Sequence, residues 1–185
     1  PDNQAYVGKS LAEIGALRDQ LWVDAAIDLF LSEAQRISAL YFWVDEENLR
    51  RQIQEPWVMI GTDAGGLDPA WAAAVGPTHP RAYGTDPRIL GRYVREEGVL
   101  PLEDAVRKMS GAVAARLGMR DRGLLREGML EDVVLFDPAT IIDYATYTDS
   151  HRLSAGVRDV WINGTLVLDD SEQTAATPCR VVTRS

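Results

Sequence analysis

The sequence predicts an α/β fold that ends in a small antiparallel β unit. Up to residue 60, stretches with helical apolar spacing alternate with short apolar runs, a pattern typical of parallel strands joined by helical crossovers. From residue 123 onward, short β-branched runs are separated by turn residues. The dipeptide Asn163-Gly164 between two such runs predicts a hairpin, because Asn-Gly permits the type I′ turn that matches strand twist.

Two helices are predicted near the start of the chain. Ser10 and Glu13 have the spacing of a capping box, which predicts a short helix that continues to about Asp19. Apolar residues then recur at helical spacing from Val23 to Ala34 and form one stripe. We therefore expect a second, amphipathic helix that packs on a sheet.

Two apolar runs are predicted as buried parallel strands. The run from Ile37 to Val44 is rich in β-branched and aromatic residues. Asp45 can cap the helix predicted over Glu46–Gln54. The run Trp57–Ile60 lies between a proline and a glycine and lacks polar alternation, as strands buried on both faces do. Because two strands form no stable sheet alone, we expect the other strands to be missing or to come from a partner.

The remaining elements follow from turn and breaker residues. A long loop is predicted over 63–85, in which Trp71–Val75 can form one helical turn, and loops of this length are usually functional or disordered. Pro87 suits the first position of a helix over 88–97, and a helix that follows Pro101 has a break near Ser110. Strands are predicted at 131–136, on both sides of the Asn-Gly turn, and at Cys179–Val182.

Composition excludes several partners. The formal net charge of −9 without a basic cluster argues against nucleic acid, and no apolar stretch approaches the ~20 residues of a membrane span. The single cysteine allows no internal disulfide and fits a reducing compartment, so we expect a cytoplasmic protein. The chain starts at Pro1 without a methionine or a targeting segment, and we expect it to be a piece of a longer protein.

Asp63 is the first candidate for chemistry. It comes directly after the predicted strand Trp57–Ile60 and the pair Gly61-Thr62. In barrels and open α/β sheets, the reacting groups cluster at the carboxyl ends of the strands. A carboxylate in this place can instead cap a turn, and both interpretations remain open from the residues alone.

The loop that follows holds further candidates. Arg81 and Arg88 carry planar guanidinium groups that can grip a carboxylate, or they can be solvated or brace the loop through ion pairs. His79 is one of only two histidines in the chain. A catalytic zinc site needs about three converging protein ligands, so His79 is more simply a hydrogen-bonded loop residue than a metal ligand.

Several ordered motifs resemble the C-terminal portion of the N-acyl-D-amino-acid deacylases, or D-aminoacylases, of the amidohydrolase superfamily. The resemblance covers the chain from about Tyr6 to its end. It is carried by the segments 57–63, 79–85, Lys108-Met109-Ser110-Gly111, 128–138 and 160–164.

The resemblance implies both a fold and the site residues. The fold would be a metal-dependent (β/α)₈ barrel, with residues 1–122 as its C-terminal part and residues 123–185 as strands of a small β domain. Asp63 would be the catalytic general acid/base and a metal contact. Arg81 would bind the α-carboxylate of the substrate, and His79 would shape the loop.

The resemblance also implies zinc, as one or two ions in the full-length protein. The family's His-x-His motif, its Cys or Glu ligand and its later metal histidines have no counterpart in this chain. We therefore expect that the chain alone neither holds the metal nor catalyses. An N-terminal portion outside these residues, or association with further copies, would complete the site. Thr62, Asp86 and Glu131 depart from the family pattern, and these departures bear on substrate preference.

The expected reaction is hydrolysis of the amide bond of a small N-acyl-D-amino acid, which gives a carboxylate and a free D-amino acid. The alternative from another class is a non-catalytic remnant or module that folds with a partner chain. A phosphate-binding loop at 61–66 is disfavoured, because that run lacks the lysine and the spacing of a P-loop.

Overall fold

The computed structural model describes residues 3–33, 37 and 39–182. The chain divides into two compact units, Pro1–Trp43 and Val44–Ser185. None of the helices in the described ranges is both long enough and apolar enough to cross a bilayer. Because the two units are separate compact bodies, each is described by itself.

The first unit contains two short α-helices, α1 (Leu11–Leu17) and α2 (Trp22–Ser32), preceded by a 3₁₀ turn. The Ser10 hydroxyl accepts a hydrogen bond from the Glu13 N–H, and the Glu13 carboxylate accepts one from the Ser10 N–H. This reciprocal pair confirms the predicted capping box. Both predicted helices are present, but in the described part of this unit α2 packs on α1 and not on the expected sheet. The two helices bury a small core: Ile14, Ala25 and Leu29, with Tyr6 against them.

Neither predicted parallel strand is a strand in the described part of the chain. Residues 37 and 39–44 form no regular element, and Trp43 is 85% exposed. Residues 57–60 also run as an irregular segment, in which the Ile60 N–H donates to the Lys108 carbonyl of a helix. A strand requires a neighbouring backbone to pair with, and the sheet described contains neither run. Ala34–Arg36 and Ser38, which the predicted second helix and first strand include, lie outside the described residues.

The second unit begins with a set of helices. The first of these, α3 (Glu46–Gln54), has the predicted bounds, and the Asp45 carboxylate accepts the Asn48 N–H as its cap. Further helices follow along the chain, and the break predicted near Ser110 separates the last two. These helices are α4 (Pro69–Val75), α5 (Arg81–Arg88), α6 (Leu102–Met109) and α7 (Gly111–Leu117).

The loop predicted over 63–85 is shorter in the structure than expected. The expected helical turn at Trp71–Val75 is part of a longer helix, α4, and α5 already begins at Arg81. Pro87, the predicted start of a helix, lies inside α5, which continues without interruption into a π-helical segment, Ile89–Glu96. Proline has no N–H to donate to the preceding turn, and the helix widens directly after it. The predicted helix start is therefore too late in the chain.

The core of the second unit forms around the π-helical segment. An ion-pair network covers one side of it: Glu97 accepts hydrogen bonds from Arg50 of α3 and from Arg92. These two guanidinium groups lower the pKa of Glu97 to about 2. The network ties α3 to the end of the π-helical segment. The buried core residues are Ile53, Ile89, Leu90, Tyr93, Leu100, Ala105 and Ile141.

The chain then forms a four-stranded antiparallel sheet in the order β1-β2-β3-β4. Its strands are β1 (Val133–Phe136), β2 (Val157–Ile162), β3 (Thr165–Asp169) and β4 (Glu172–Gln173). Asn163 and Gly164 have φ values of +48° and +77°, which confirms the predicted type I′ hairpin.

The strand predicted at Cys179–Val182 is wrong, because these residues form no strand. The tight turn at Asp170 and Ser171, both with positive φ, folds β4 back onto β3. β4 therefore forms the edge of the sheet next to β3.

Gly156, directly before β2, offers a test of the close backbone contact with Ile141. It has a φ of +90°, and a Cβ built on it would lie 2.3 Å from the Ile141 Cα. We expect Gly156→Ala to lower the free energy of unfolding by roughly 2–4 kcal/mol, because it adds a backbone clash to the strain of a positive φ.

Gly128 is the matched control. Its φ is +85°, but a Cβ built on it would meet no atom within 4 Å. Gly128→Ala should therefore lower the free energy of unfolding by only about 1 kcal/mol, the cost of a positive φ in a residue with a Cβ. Urea unfolding of both variants measures the difference. Equal losses would show that the contact with Ile141 is not the cause.

Candidate functional site

The structure brings Asp63 and Arg81 into contact. The Arg81 Nη2 lies 3.4 Å from the Asp63 Oδ2. The side chain of Asp63 is 91% exposed, and that of Arg81 is 44% exposed. The two residues that the sequence indicated for chemistry therefore form one accessible ion pair at the start of α5.

The main chain of Arg81 is held from three sides. The hydroxyls of Thr62 and Thr85 donate to the Arg81 carbonyl at 3.3 Å and 3.0 Å. The Arg81 N–H donates to His79 Nδ1 at 3.1 Å. Thr62, which directly precedes Asp63, thus links the segment carrying the carboxylate to the helix carrying the guanidinium.

His79 acts as a structural residue of this turn. Its Nδ1 accepts a hydrogen bond and so carries no proton, and burial together with the charge of Arg81 lowers the pKa of His79. Both effects favour the neutral ring. The His79 ring packs against the Tyr147 ring in a T-shaped arrangement, with 5.3 Å between the ring centroids and an interplanar angle of 86°. The structure thus places His79 as the hydrogen-bonded loop residue that the sequence indicated.

His151 braces the same loop, a role that the sequence did not indicate. Its Nε2 lies 2.9 Å from the Gly76 carbonyl, and its Nδ1 lies 3.3 Å from the Tyr83 hydroxyl. A carbonyl only accepts, so the His151 Nε2 carries a proton and donates to Gly76. Next to it, the buried Ser150 accepts the Thr78 N–H. His151 and Gly76 are 75 positions apart, so no local pattern could reveal the contact.

Arg88 lies outside this site. Its guanidinium donates to Asp143 at 2.9 Å, and the Asp143 side chain is nearly buried. Of the two interpretations open from the sequence, the structure shows the bracing ion pair. Gly84, one turn earlier in α5, permits this approach, since a Cβ there would lie 3.0 Å from the Asp143 Cβ.

The described residues do not by themselves fit a zinc site. Within them, no group of three or more His, Cys, Asp or Glu side chains converges closely enough to hold a metal ion. The ion-pair partner of Asp63 is Arg81, a cation. A catalytic zinc needs about three protein ligands, and this site offers one carboxylate.

A family model described as "Amidohydrolase family" matches residues 21–168. The chain belongs to the amidohydrolase family. The match extends from the start of α2 in the first unit to β3 of the sheet. It confirms the resemblance inferred from the sequence motifs.

Named relatives within the amidohydrolase family are deacylases. The chain is 38% identical to the D-aminoacylase of Alcaligenes xylosoxydans xylosoxydans over 178 residues, which are 96% of this chain and 34% of that protein. It is 40% identical to the N-acyl-D-glutamate deacylase of the same organism over 163 residues, 86% of this chain and 30% of that protein. The chain thus spans about a third of the length of the curated relatives it matches.

Solved amidohydrolase structures share the fold of this chain. A crystal structure of D-aminoacylase matches with a TM-score of 0.79 and 36% identity, over 95% of this chain and 34% of that one. The N-acyl-D-glutamate deacylase of Bordetella bronchiseptica, solved with zinc and a phosphonate that mimics the tetrahedral intermediate, matches with a TM-score of 0.77 and 35% identity. That match covers 90% of this chain and 33% of that one. The mixed helix and strand arrangement is therefore that of one portion of an amidohydrolase.

The brace at His151 leads to a prediction about stability. His151→Ala removes the partners of the Gly76 carbonyl and the Tyr83 hydroxyl together. We expect it to lower the free energy of unfolding by about 1–3 kcal/mol, the usual range for partly buried hydrogen bonds left unmade. It should also speed exchange of the Thr78 and Arg81 amide protons, measured by hydrogen exchange.

Tyr83→Phe is the control, because it removes only the longer of the two bonds. It should lower the free energy of unfolding by about 1 kcal/mol or less and leave the Thr78 amide protected from hydrogen exchange. If His151→Ala and Tyr83→Phe have the same effect, the bond to Gly76 does not hold the loop.

Proposed function

We propose that these residues are the C-terminal portion of a metal-dependent hydrolase that cleaves the amide bond of N-acyl-D-amino acids. The products are a carboxylate and a free D-amino acid. The observation that carries the proposal is the contact of Asp63 with Arg81 in a chain of the amidohydrolase family. The names of the relatives support the substrate class, since all three are deacylases of D-amino-acid derivatives.

Arg81 is the proposed clamp for the α-carboxylate of the substrate. The planar guanidinium can donate two parallel hydrogen bonds to a carboxylate. Its present contact with Asp63 is a single, exposed approach of 3.4 Å, and exposed pairs of this kind contribute only about 0–1 kcal/mol. A substrate carboxylate can therefore replace Asp63 on the guanidinium at little cost.

Asp63 is the proposed general acid/base. Its carboxylate would take a proton from the attacking water as the water oxygen bonds to the amide carbon. The same proton would pass to the amide nitrogen as the C–N bond breaks, so that the amine leaves neutral. High exposure in this chain leaves Asp63 accessible to such a water and substrate.

We further propose that the full-length protein holds one or two zinc ions, with most ligands outside these 185 residues and Asp63 as one contact. Zinc in hydrolases lowers the pKa of a bound water. Residues 1–122 would complete a (β/α)₈ barrel, and residues 123–185 would join a small β domain. The exposed aromatic side chains of Tyr41, Phe42 and Trp43 support packing against further chain.

The second candidate is a non-catalytic module that folds with a partner chain. It rests on the irregular backbone at 57–60, since predicted strands without partners are typical of an incomplete sheet, which a partner chain would complete. Metal content and hydrolysis of N-acetyl-D-amino acids, measured side by side on this chain and on the full-length protein, separate the two candidates. Zinc and turnover in the full-length protein support the deacylase, and their absence there supports the module.

Asp63→Ala in the full-length protein tests the general acid/base. We expect kcat to fall by about 10²–10⁴-fold, the usual contribution of a positioned proton-transfer group, with the unfolding transition unchanged. Asp149→Ala is the matched control, because Asp149 also makes a single exposed contact, with Arg152 at 3.7 Å. Near-normal turnover in Asp63→Ala would remove Asp63 from the mechanism.

Arg81→Lys tests the carboxylate clamp. Lysine keeps the charge but cannot make the two-pronged contact, so KM should rise by about 10- to 100-fold while kcat changes less. Arg152→Lys, at another exposed arginine paired with an aspartate, is the control. Steady-state kinetics give both constants, and an unchanged KM in Arg81→Lys would count against the clamp.

A further inference from the structure

We propose that Lys108 is the positioning residue for Asp63. It anchors the 55–60 segment, the stretch of chain that leads into Asp63, to the end of α6. The inference rests on the proposed function, since it assigns Lys108 a task in the same reaction. It concerns the motif Lys108-Met109-Ser110-Gly111, to which neither the fold nor the proposed chemistry assigns a role.

The Lys108 side chain is completely buried, with 0% exposure. Its Nζ donates to the backbone carbonyls of Glu55 and Val58, the latter at 3.2 Å, and lies 3.7 Å from the Asp104 carboxylate. Lysine is almost never fully buried unless it is paired, because an isolated ammonium in an apolar environment is very unfavourable. The buried ammonium is thus stabilised by the backbone oxygens of the 55–60 segment.

The main chain of Lys108 holds the same segment. Its carbonyl accepts the Ile60 N–H at 3.0 Å. Lys108 is in the last turn of α6, where the carbonyls have no partner within the helix. Side chain and main chain of one residue therefore hold the 55–60 segment at three points, and Asp63 follows only three residues later.

Arg107 makes a weaker, exposed contact with the same 55–60 segment. Its guanidinium donates to the Pro56 carbonyl at 3.1 Å and also pairs with Asp104. The Arg107 side chain is 46% exposed, so water can take its place on the carbonyl. Arg107 is therefore a matched control: a neighbouring cation that contacts the same segment without being buried.

The geometry predicts that loss of Lys108 affects kcat and KM differently. Two of the three hydrogen bonds that hold the Arg81 main chain, those with Thr85 and His79, do not involve the segment that Lys108 anchors. Loss of the Lys108 anchor should therefore displace the carboxylate and leave the clamp in place. A displacement of about 1 Å at a reacting group can cost about 10²-fold in rate. We expect a large loss in kcat with little change in KM.

The experiment uses the full-length protein with Lys108→Met, Lys108→Arg and Arg107→Met. kcat and KM are measured on a panel of N-acetyl-D-amino acids, and hydrogen exchange is followed in the peptide that spans residues 55–62. We expect Lys108→Met to lower kcat by about 10²-fold and to speed exchange at Ile60. Arg107→Met should change kcat less than about threefold, since exposed contacts contribute little.

Lys108→Arg keeps the positive charge in a larger side chain. It tests the same role if Lys108→Met does not fold. It should restore part of kcat and part of the protection at Ile60. The positioning role is overturned if the folded Lys108 variants match Arg107→Met in kcat. It is also overturned if kcat falls without faster exchange in the 55–62 peptide.

The test separates this inference from the proposed function. A full-length wild type without deacylation, or an Asp63→Ala variant with full turnover, overturns the proposed function. In that case the exchange measurement still decides whether Lys108 anchors the segment. Normal turnover in Lys108→Met beside an inactive Asp63→Ala overturns only the positioning role.

Discussion

Backbone polar groups that leave a sheet or helix must find hydrogen-bond partners, and this requirement governs the stretch that leads to Asp63. No described strand pairs with residues 57–60. Lys108 supplies partners instead, through a buried ammonium on two carbonyls and its own carbonyl on the Ile60 amide. One buried lysine thus takes over part of the role that neighbouring strands have in a complete sheet.

The candidate site combines rigid supports with a weak central contact. His79, Thr62 and Thr85 hold the Arg81 backbone, and on the far side of the loop His151 bonds to Gly76. The Asp63–Arg81 pair itself is exposed and easily exchanged. Such an arrangement suits binding, because well-placed groups with weak mutual contacts can change partners without reorganising the fold.

Sequence patterns predicted most of the elements whose determinants are local. The capping box at Ser10 and Glu13, the Asp45 cap and the Asn163-Gly164 turn depend on residues a few positions apart, and all three are present. The predicted strands at 37–44 and 57–60 were wrong for this chain, because a parallel strand depends on distant neighbours. The π-helical segment after Pro87 was missed for a related reason: tertiary packing decides how a helix continues past a proline.

By itself, the sequence determined the family, the caps and turns, and the choice of Asp63 and Arg81 as candidate site residues. These depend on residue identity and short spacing, which the sequence contains directly. Only the tertiary structure decided that Asp63 touches Arg81, that Arg88 belongs to Asp143, and that His151 braces the loop. Their partners lie far apart along the chain, and long-range contacts are set by packing, which no local pattern encodes.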